Sequence, residues 1–360
     1  MKKKYILLLT LFFLEAKAQM MPPPASPAQQ IEELKPSDNI ELFDINEIPD
    51  KIFAWNVKRL SVDCGGNFTK ISGKIGNLKE LESFSLKGGD AVRLPKEFSN
   101  LRNLKYLSIN SNKFTEIQPE ILKITNLEFL NFQSYQLDNL PGEIGKLVNL
   151  KQLTISKRLF FGGAITNDSQ VFKELVVPVS IGKLNKLEQL NLPSNRLKKL
   201  PAEIGNLQNL KQVDLSNNLL ESLPSSLSKL QNLRSILLMD NRFTIFPKEL
   251  YELPNLEEID LSRNDMTLIP SGIEKLKKIR SLNLESCKLS EQSLLEIYKL
   301  ESLVTLQLND NQLKSIPPGI DKLKKLEVLT IWGNNLSPEN ITKIKKLMPH
   351  TSVVEKKLYH

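Results

Sequence analysis

The chain has 360 residues, a formal net charge of +8 at pH 7 and 40% hydrophobic residues. Its two histidines, His350 and His360, both lie near the carboxyl terminus, so no Ser-His-Asp or Cys-His set can be assembled around them. The sequence also lacks a Gly-rich phosphate loop and Cys/His metal spacing, and it therefore predicts a protein that is not an enzyme and has no cofactor and no metal site.

Residues 1–18 carry the three parts of a secretory signal peptide. Three lysines precede a ten-residue apolar stretch, and Ala16-Lys17-Ala18 forms a small-x-small cleavage site. A membrane span would need about 20 apolar residues. We therefore expect signal cleavage, no stable membrane span, and an exported protein that is periplasmic or extracellular.

Removal of residues 1–18 would leave a net charge of +5. That excess is mild over the length of the chain and does not predict a nucleic-acid interface. Lysine runs at 322–325 and 343–346 alternate with apolar positions and are interpreted as a solvated outer face.

Residues 19–30 are rich in proline and predict an extended linker. Residues 31–56 read as the second half of a repeat without its strand, and we expect them to form an N-terminal cap. Residues 337–360, with a helix at 337–348 and a short strand at 352–355, are the expected C-terminal cap.

A 23-residue pattern, L-x-x-L-x-L-x-x-N-x-L-x-x-L-P-x-x-I-x-x-L-x-x, fills residues 57–336, with its cleanest copy at Leu210. A fixed period of this length predicts a solenoid in which each repeat buries its apolar face against its neighbours. The repeats start at Val57, Leu81, Leu104, Leu127, Leu150, Leu187, Leu210, Leu233, Leu256, Ile279, Leu303 and Leu326.

The pattern resembles the leucine-rich repeat family, and within it the "LP" type of plant intracellular Ras-group, disease-resistance and many bacterial proteins. The resemblance implies an α/β fold: a right-handed horseshoe solenoid with a parallel concave sheet of about 12 strands, short helical or 3₁₀ convex segments and terminal caps. It also implies a recognition module that binds a partner.

The asparagine at position nine can bond backbone groups of the turn, and stacked copies predict a ladder. Cys287 takes that position in the tenth repeat and is interpreted as structural, and it is too far from Cys64 for a disulfide. The absence of Cys-rich caps favours a bacterial envelope setting. The ladder asparagines are Asn112, Asn195, Asn218, Asn241, Asn264, Asn311 and Asn334.

The repeat lapses in its first half. The ladder position holds Gly65, Gly89, Tyr135 and Arg158, and the spacing of 37 after Leu150 implies a 14-residue insertion within residues 157–174. The insertion is either a functional rim loop or a drifted loop that packs Phe160 and Phe161 back onto the solenoid.

Positions three, five and seven of each strand face the concave surface, which is mostly small and polar. Apolar side chains interrupt it, and we predict them as partner-binding residues because exposed aromatics are typical of interfaces. The alternative for Trp332 and its strand neighbour Val328 is that the C-terminal cap covers them. With the insertion, the predicted residues are Tyr106, Phe129, Phe160, Phe161, Leu237, Met239 and Trp332.

The sequence thus predicts an exported, non-catalytic module that binds an unidentified protein partner through its concave face and rim insertion. The alternatives are a glycan or envelope-polymer ligand, suggested by the Asn/Gln/Ser/Thr-rich face, and an adhesive or structural role in the envelope. Aligned carboxylates at Asp214, Glu258 and Asp260 could bind a cation or a basic partner, although charges on an open sheet are usually solvated.

Overall fold

The structure, a computed structural model, describes residues 34–91, 93–157 and 173–357. The predicted signal peptide, the Pro-rich linker, Phe160, Phe161 and His360 lie outside the described residues. All strands and helices below belong to one unit, Ser37–His360.

Among the described residues, fourteen strands form a single parallel sheet in strict chain order, as expected when each repeat pairs with the next. The twelve predicted strands are all present, and so is the closing strand of the C-terminal cap. The strands are β1 Asn39–Ile45, β2 Arg59–Cys64, β3 Ser83–Gly88, β4 Tyr106–Asn110, β5 Phe129–Gln133, β6 Gln152–Ser156, β7 Gln189–Asn191, β8 Gln212–Asp214, β9 Ser235–Leu237, β10 Glu258–Asp260, β11 Ser281–Asn283, β12 Thr305–Gln307, β13 Val328–Thr330 and β14 Ser352–Val354.

The N-terminal cap differs from its prediction, because it contains a strand. β1 pairs with β2 in parallel, with Ile40 opposite Leu60 and Leu42 opposite Val62. The alternation in NIELFDI buries Ile40 and Leu42, and a register shift after Leu42 lets Ile45 be buried as well, so that β1 covers the open end of the core. The prediction of a cap without a strand was therefore wrong.

The return segments on the other side are mostly 3₁₀ turns that begin after a proline. Pro201, for example, has φ −69° and precedes the turn Ala202–Asn206, as proline without an N–H allows. The 3₁₀ segments are Asp50–Ala54, Gly73–Asn77, Lys96–Asn100, Gly142–Lys146, Val179–Lys183, Ala202–Asn206, Ser225–Lys229, Lys248–Glu252, Ile273–Lys275 and Ile320–Lys322; the α-helices are Pro119–Leu122, Glu291–Ile297 and Pro338–Leu347.

The asparagine ladder is continuous in the second half of the sheet. Asn218 Nδ2 donates to the carbonyl oxygens of Leu192 (2.9 Å) and Leu215 (2.8 Å), while its Oδ1 accepts from the Leu197 amide at 3.0 Å. Cys287 takes the donor role, with its Sγ 3.3 Å from the Leu261 carbonyl. The structural interpretation of Cys287 is confirmed.

The ladder prediction was wrong for Asn112. Its Oδ1 is buried and accepts no hydrogen bond within the described part of the chain, as is also true of Asn195, but Asn195 Nδ2 donates to the Ile155 carbonyl at 2.8 Å and the Asn112 amide makes no such bond among the described residues. Serines at position eight replace the ladder there. Ser134 Oγ donates to the Phe114 carbonyl at 2.7 Å, and Ser111 Oγ donates to the Gly89 carbonyl at 3.3 Å.

A second asparagine row precedes the strands and was not predicted. Its side-chain amides donate to backbone carbonyls of the preceding repeat, as in Asn209 to Asn185 at 2.7 Å. These bonds fix the bend between the return segment and the next strand. The row consists of Asn103, Asn126, Asn149, Asn209, Asn232 and Asn255.

Position two of the repeats carries charges whose sign mostly alternates from one repeat to the next. The ion pairs join neighbouring repeats, and their side chains are 29% to 65% exposed, so each contributes only about 0–1 kcal/mol. The pairs are Lys58–Asp38, Lys105–Glu82, Lys151–Glu128, Lys211–Glu188 and Arg234–Glu257.

Close packing between return segments depends on glycine. A Cβ on Gly182 would lie 2.6 Å from the Glu203 carbonyl oxygen of the next repeat. Tyr251 occupies the same position in its own repeat, where the following segment turns away through Gly272 at φ +108°. Tyr298 and Gly319 repeat this arrangement, again with φ +108°.

Candidate functional site

Tyr106 and Phe129 lie side by side on the open face of the sheet, as their shared position in adjacent strands predicts. Their ring centroids are 6.2 Å apart and the ring planes are tilted by 38°, within the range of favourable aromatic pairs. Tyr106 is 40% exposed. We call the depression of about 210 Å³ beside them, also lined by Leu130, Asn131, Gln133, Gln152 and Thr154, the aromatic cleft.

The floor of the aromatic cleft is made of amides that bond to one another. Asn131 Nδ2 donates to Ser108 Oγ at 3.1 Å, and Gln133 Nε2 donates to Asn131 Oδ1 at 3.3 Å. Two acceptors have no donor within the described residues: Gln133 Oε1, and Asn110 Oδ1 on the neighbouring strand. A buried polar atom without a partner costs about 1–3 kcal/mol, so a small rotation of either amide toward a ligand donor would recover stability.

The other predicted residues of this face lie elsewhere along the sheet. Leu237 ends β9 and Met239 follows it, and both are half-buried. Trp332 follows β13, and Lys357 Nζ lies 5.1 Å from the centre of its ring. β14 pairs with β13 beside Val328. The C-terminal cap therefore partly covers Trp332 and Val328, and the structure brings together Tyr106 and Phe129 but not the whole predicted set.

The described ends of the insertion are joined at its base. The buried Lys157, directly after β6, donates from Nζ to the Lys173 carbonyl at 2.7 Å. Burial lowers the pKa of Lys157, and the nearby Asp138 carboxylate opposes that effect. Whether the insertion binds a partner stays a prediction, because Phe160 and Phe161 lie outside the described residues.

Sequence reasoning missed two exposed valines on the carboxyl-terminal side of the insertion. Val176 is 56% exposed and Val179 is 64% exposed. Both occupy variable positions of the repeat that are polar in most copies, which is the signal that could have identified them.

An apolar crevice of about 490 Å³ on the flank opposite the sheet was also missed. Ile245, Phe246, Tyr251, Pro270 and Gly272 are among its lining residues, and Ile245 is 51% exposed. It lies where Tyr251 replaces the glycine of the close-packed return segments. Nothing in the described structure indicates what would cover it.

The aligned carboxylates are held by neighbouring side chains and amides. Asp260 Oδ1 accepts from Ser262 Oγ at 2.6 Å and its Oδ2 accepts from Asn283 at 3.0 Å. Glu258 accepts from Ser235 at 2.9 Å, and Asp214 accepts from the Ser216 amide at 2.9 Å. Within the described ranges, no group of three or more His, Cys, Asp or Glu side chains could hold a metal ion.

Both cysteines are free thiols, as predicted from their separation. Burial raises the pKa of Cys64 and of Cys287 to about 12. A thiol of that pKa is protonated at neutral pH and is a poor nucleophile. Neither cysteine is a candidate catalytic group.

Comparison with known proteins agrees with the repeat fold described above. Profiles described as leucine-rich repeat region, leucine-rich repeats (2 copies) and leucine-rich repeat match residues 173–295, 301–346 and 103–123. The chain belongs to the leucine-rich repeat proteins. Members of this family generally mediate protein–protein recognition and are typically non-catalytic.

Solved structures share the fold over most of the chain. A leucine-rich repeat protein of Leptospira interrogans is 29% identical, with a TM-score of 0.52, over 91% of this chain and 97% of its own. An internalin, inlF, from Listeria monocytogenes is 17% identical over 80% of this chain and 77% of its own, with a TM-score of 0.61, and at that identity it shows the fold alone.

A third structure is the ectodomain of the Arabidopsis thaliana receptor kinase GASSHO1/SCHENGEN3, in complex with CASPARIAN STRIP INTEGRITY FACTOR 2. It is 25% identical, with a TM-score of 0.53, and the match covers 88% of this chain but 43% of the receptor chain. A comparison with curated protein sequences finds no match. No helix in the described part of the chain is long and apolar enough to cross a membrane.

Proposed function

We infer that the protein is an exported recognition module that binds a protein partner at the aromatic cleft. The observation that carries this proposal is the cleft itself. It places an aromatic pair, with Tyr106 exposed and Phe129 half-buried, beside an amide with an unused acceptor, on a sheet face that is mostly small and polar. The similar plant receptor was solved with a partner bound.

The chemistry of the cleft favours a polypeptide ligand. An apolar side chain of the partner fits a volume of about 210 Å³, and a backbone or side-chain N–H group would satisfy the acceptor of Gln133, which lines the cleft, after a small rotation of its amide. Aromatic anchors surrounded by polar groups that exclude water are typical of interface hot spots. The predicted rim insertion follows β6, the strand that supplies Gln152 and Thr154 to the cleft.

Export is supported by the sequence of residues 1–18 alone. Fusing these residues to a reporter enzyme, and separately deleting them from the chain, tests export. We expect the fusion to be exported and shortened at residue 18. A fusion that stays in the cytoplasm at full length would overturn this part of the proposal.

Partner binding is tested by crosslinking capture from the culture medium and envelope fraction, using residues 19–360 as bait. The Tyr106→Ala/Phe129→Ala double variant should lose about tenfold or more in affinity for the captured protein, since hot-spot truncations cost about 2 kcal/mol or more. Ile245→Ala is the matched control, because Ile245 is an exposed apolar side chain on the opposite flank.

Equal capture by the double variant and the control would show that the aromatic cleft is not the binding site. If a glycan were captured in place of a protein, and the double variant still lost binding, the ligand would be a glycan or envelope polymer, which is the alternative suggested by the polar face.

A further inference from the structure

The carboxyl-terminal end of the chain is rich in lysine. Residues 19–313 contain 36 basic and 36 acidic residues, whereas residues 314–357 contain nine lysines and four acidic residues. Residues 314–357, which comprise the later part of the eleventh repeat, the twelfth repeat and the described part of the C-terminal cap, therefore carry a net charge of +5.

Several exposed lysines at this end lack the carboxylate partner that some lysines of the sheet have. Along the sheet, Lys105, Lys151 and Lys211 each bond to a carboxylate of the neighbouring repeat. At the carboxyl-terminal end, the exposed lysines that form no ion pair within the described residues include Lys322, Lys325, Lys343 and Lys346.

These lysines come from two segments that pack together. The helix Pro338–Leu347 contacts the 3₁₀ segment Ile320–Lys322. The helix buries Ile344 against the core, so Lys346, two residues further on, lies on the opposite, outward side. Lys343 and Leu347, four residues apart, share one flank of the helix.

Leu347 is an exposed apolar residue within this basic surface. It is 43% exposed, although Met348 next to it is 95% buried. An exposed leucine flanked by Lys343 and Lys346 combines an apolar contact with positive charge, which is the combination that peripheral proteins use at anionic lipid surfaces.

We propose that the carboxyl-terminal end, formed by Lys322, Lys325, Lys343, Lys346 and Leu347, docks the protein on an anionic lipid surface. The four lysines lie against the lipid headgroups, and Leu347 enters the boundary between headgroups and acyl chains. A soluble polyanion would satisfy the lysines but would leave Leu347 in water, so the lipid surface accounts for both features. This surface is separate from the aromatic cleft, which stays open for a partner.

The proposal is tested by co-sedimentation with vesicles, using the chain without residues 1–18. That form keeps the unit Ser37–His360 whole and removes an apolar segment that would itself enter bilayers. We expect binding to vesicles of phosphatidylcholine with 30% phosphatidylglycerol and no binding to pure phosphatidylcholine. Binding should weaken as the salt concentration rises from about 0.05 to 0.5 M, because the Debye length shortens.

Two variants separate the contribution of the lysines to lipid binding from that of Leu347. Lys343→Ala/Lys346→Ala should lower the partition coefficient by about tenfold or more, since each lysine near an anionic surface contributes substantially. Leu347→Ser should lower the part of the binding that persists at high salt. The matched control is Lys146→Ala/Lys229→Ala, which removes the same charge from exposed lysines that end two 3₁₀ segments elsewhere.

Three outcomes would overturn the proposal: no association with anionic vesicles, equal losses in the helix variant and the control, or binding to a soluble polyanion such as heparin without vesicle binding. Capture of the protein partner is measured in parallel on the same variants. The lysine variants should retain capture, so failure of lipid docking and failure of the aromatic cleft are distinguishable.

Discussion

The ring of Tyr251 lies against Gly272 of the following repeat, where a Cβ would be 3.3 Å from Tyr251 Cδ2. The Tyr251 hydroxyl donates to the Pro270 carbonyl at 2.9 Å. Glycine at the Tyr251 position allows neighbouring return segments to touch. The tyrosine instead requires glycine in the next repeat, at φ +108°.

Gly272→Ala should therefore destabilise the protein by about 1–3 kcal/mol, because the alanine meets both the aromatic ring and an unfavourable backbone conformation. The measurement is the urea unfolding midpoint. Gly142→Ala is the control, since a Cβ there meets nothing within 4 Å, and we expect it to be neutral or stabilising by up to about 1 kcal/mol. Equal effects at the two sites would contradict this interpretation.

Cys287→Asn should stabilise the protein by about 1 kcal/mol. In neighbouring repeats an asparagine Oδ1 accepts the backbone N–H of the preceding turn, as Asn264 does from Phe243 at 3.0 Å. The equivalent amide is that of Met266, and cysteine offers it no carboxamide oxygen. Cys287→Ala removes the donor to Leu261 as well and should be destabilising. If the alanine variant were the more stable of the two, the ladder would not be the reason for the asparagines.

Arg263→Gly should be neutral or stabilising by up to about 1 kcal/mol, contrary to the usual effect of glycine. Arg263 has φ +54° and is exposed, and the left-handed region costs a non-glycine residue about 1–2 kcal/mol. Arg280→Gly, at an exposed position that precedes β11, should destabilise by roughly 1 kcal/mol. Thermal unfolding of both variants provides the comparison.

The free energy of unfolding should fall as the pH rises above 9, because the two thiols lose their protons at a higher pH in the folded chain than in the unfolded chain. The pKa of both thiols is raised from 9.0 to about 12 by burial, so between these values the unfolded chain has lost protons that the folded chain retains. The stabilising contribution is complete below pH 9 and is lost as pH rises toward 12. Unfolding midpoints at pH 8 to 11 should fall more steeply in the natural chain than in Cys64→Ala/Cys287→Ala.

Gln133→Met should separate stability from binding. The change removes an unpartnered acceptor, so we expect the free energy of unfolding to stay within about 1 kcal/mol. Affinity for the captured partner should fall about fivefold or more, because a ligand donor loses its acceptor. Gln212→Met, on the same face at β8, should change neither quantity. If the Gln133 variant bound the partner with full affinity, the amides beneath the aromatic pair would not be part of the binding site.

The repeat period was sufficient to predict the strands, because every strand from β2 to β13 begins two residues after a predicted repeat start. β1 was missed because the apolar residue that opens each repeat is absent there. Ser37 stands two residues before β1, where the other repeats have Leu, Ile or Val. Ser111 and Ser134 were missed for a different reason: their role depends on the path of a turn whose asparagine is absent or unbonded.

The proximity of Tyr106 and Phe129 followed from their shared position on adjacent strands. The depression beside them could not be predicted, because it depends on ring tilt and on amides that bond to each other. The separation of Trp332 from this group follows from its repeat number, whereas its contact with Lys357 depends on how the cap folds back, which no periodic pattern specifies.

The ion pairs of position two imply a rule for changing the length of this protein. They join repeats two with three, four with five, six with seven and eight with nine. Deleting the third repeat alone would set Glu82 beside Glu128, whereas deleting the third and fourth together would set Glu82 beside Lys151. The charges at position two are therefore matched in pairs of repeats. Variants that gain or lose two repeats, about 46 residues, should be more stable than variants that gain or lose one repeat of about 23 residues.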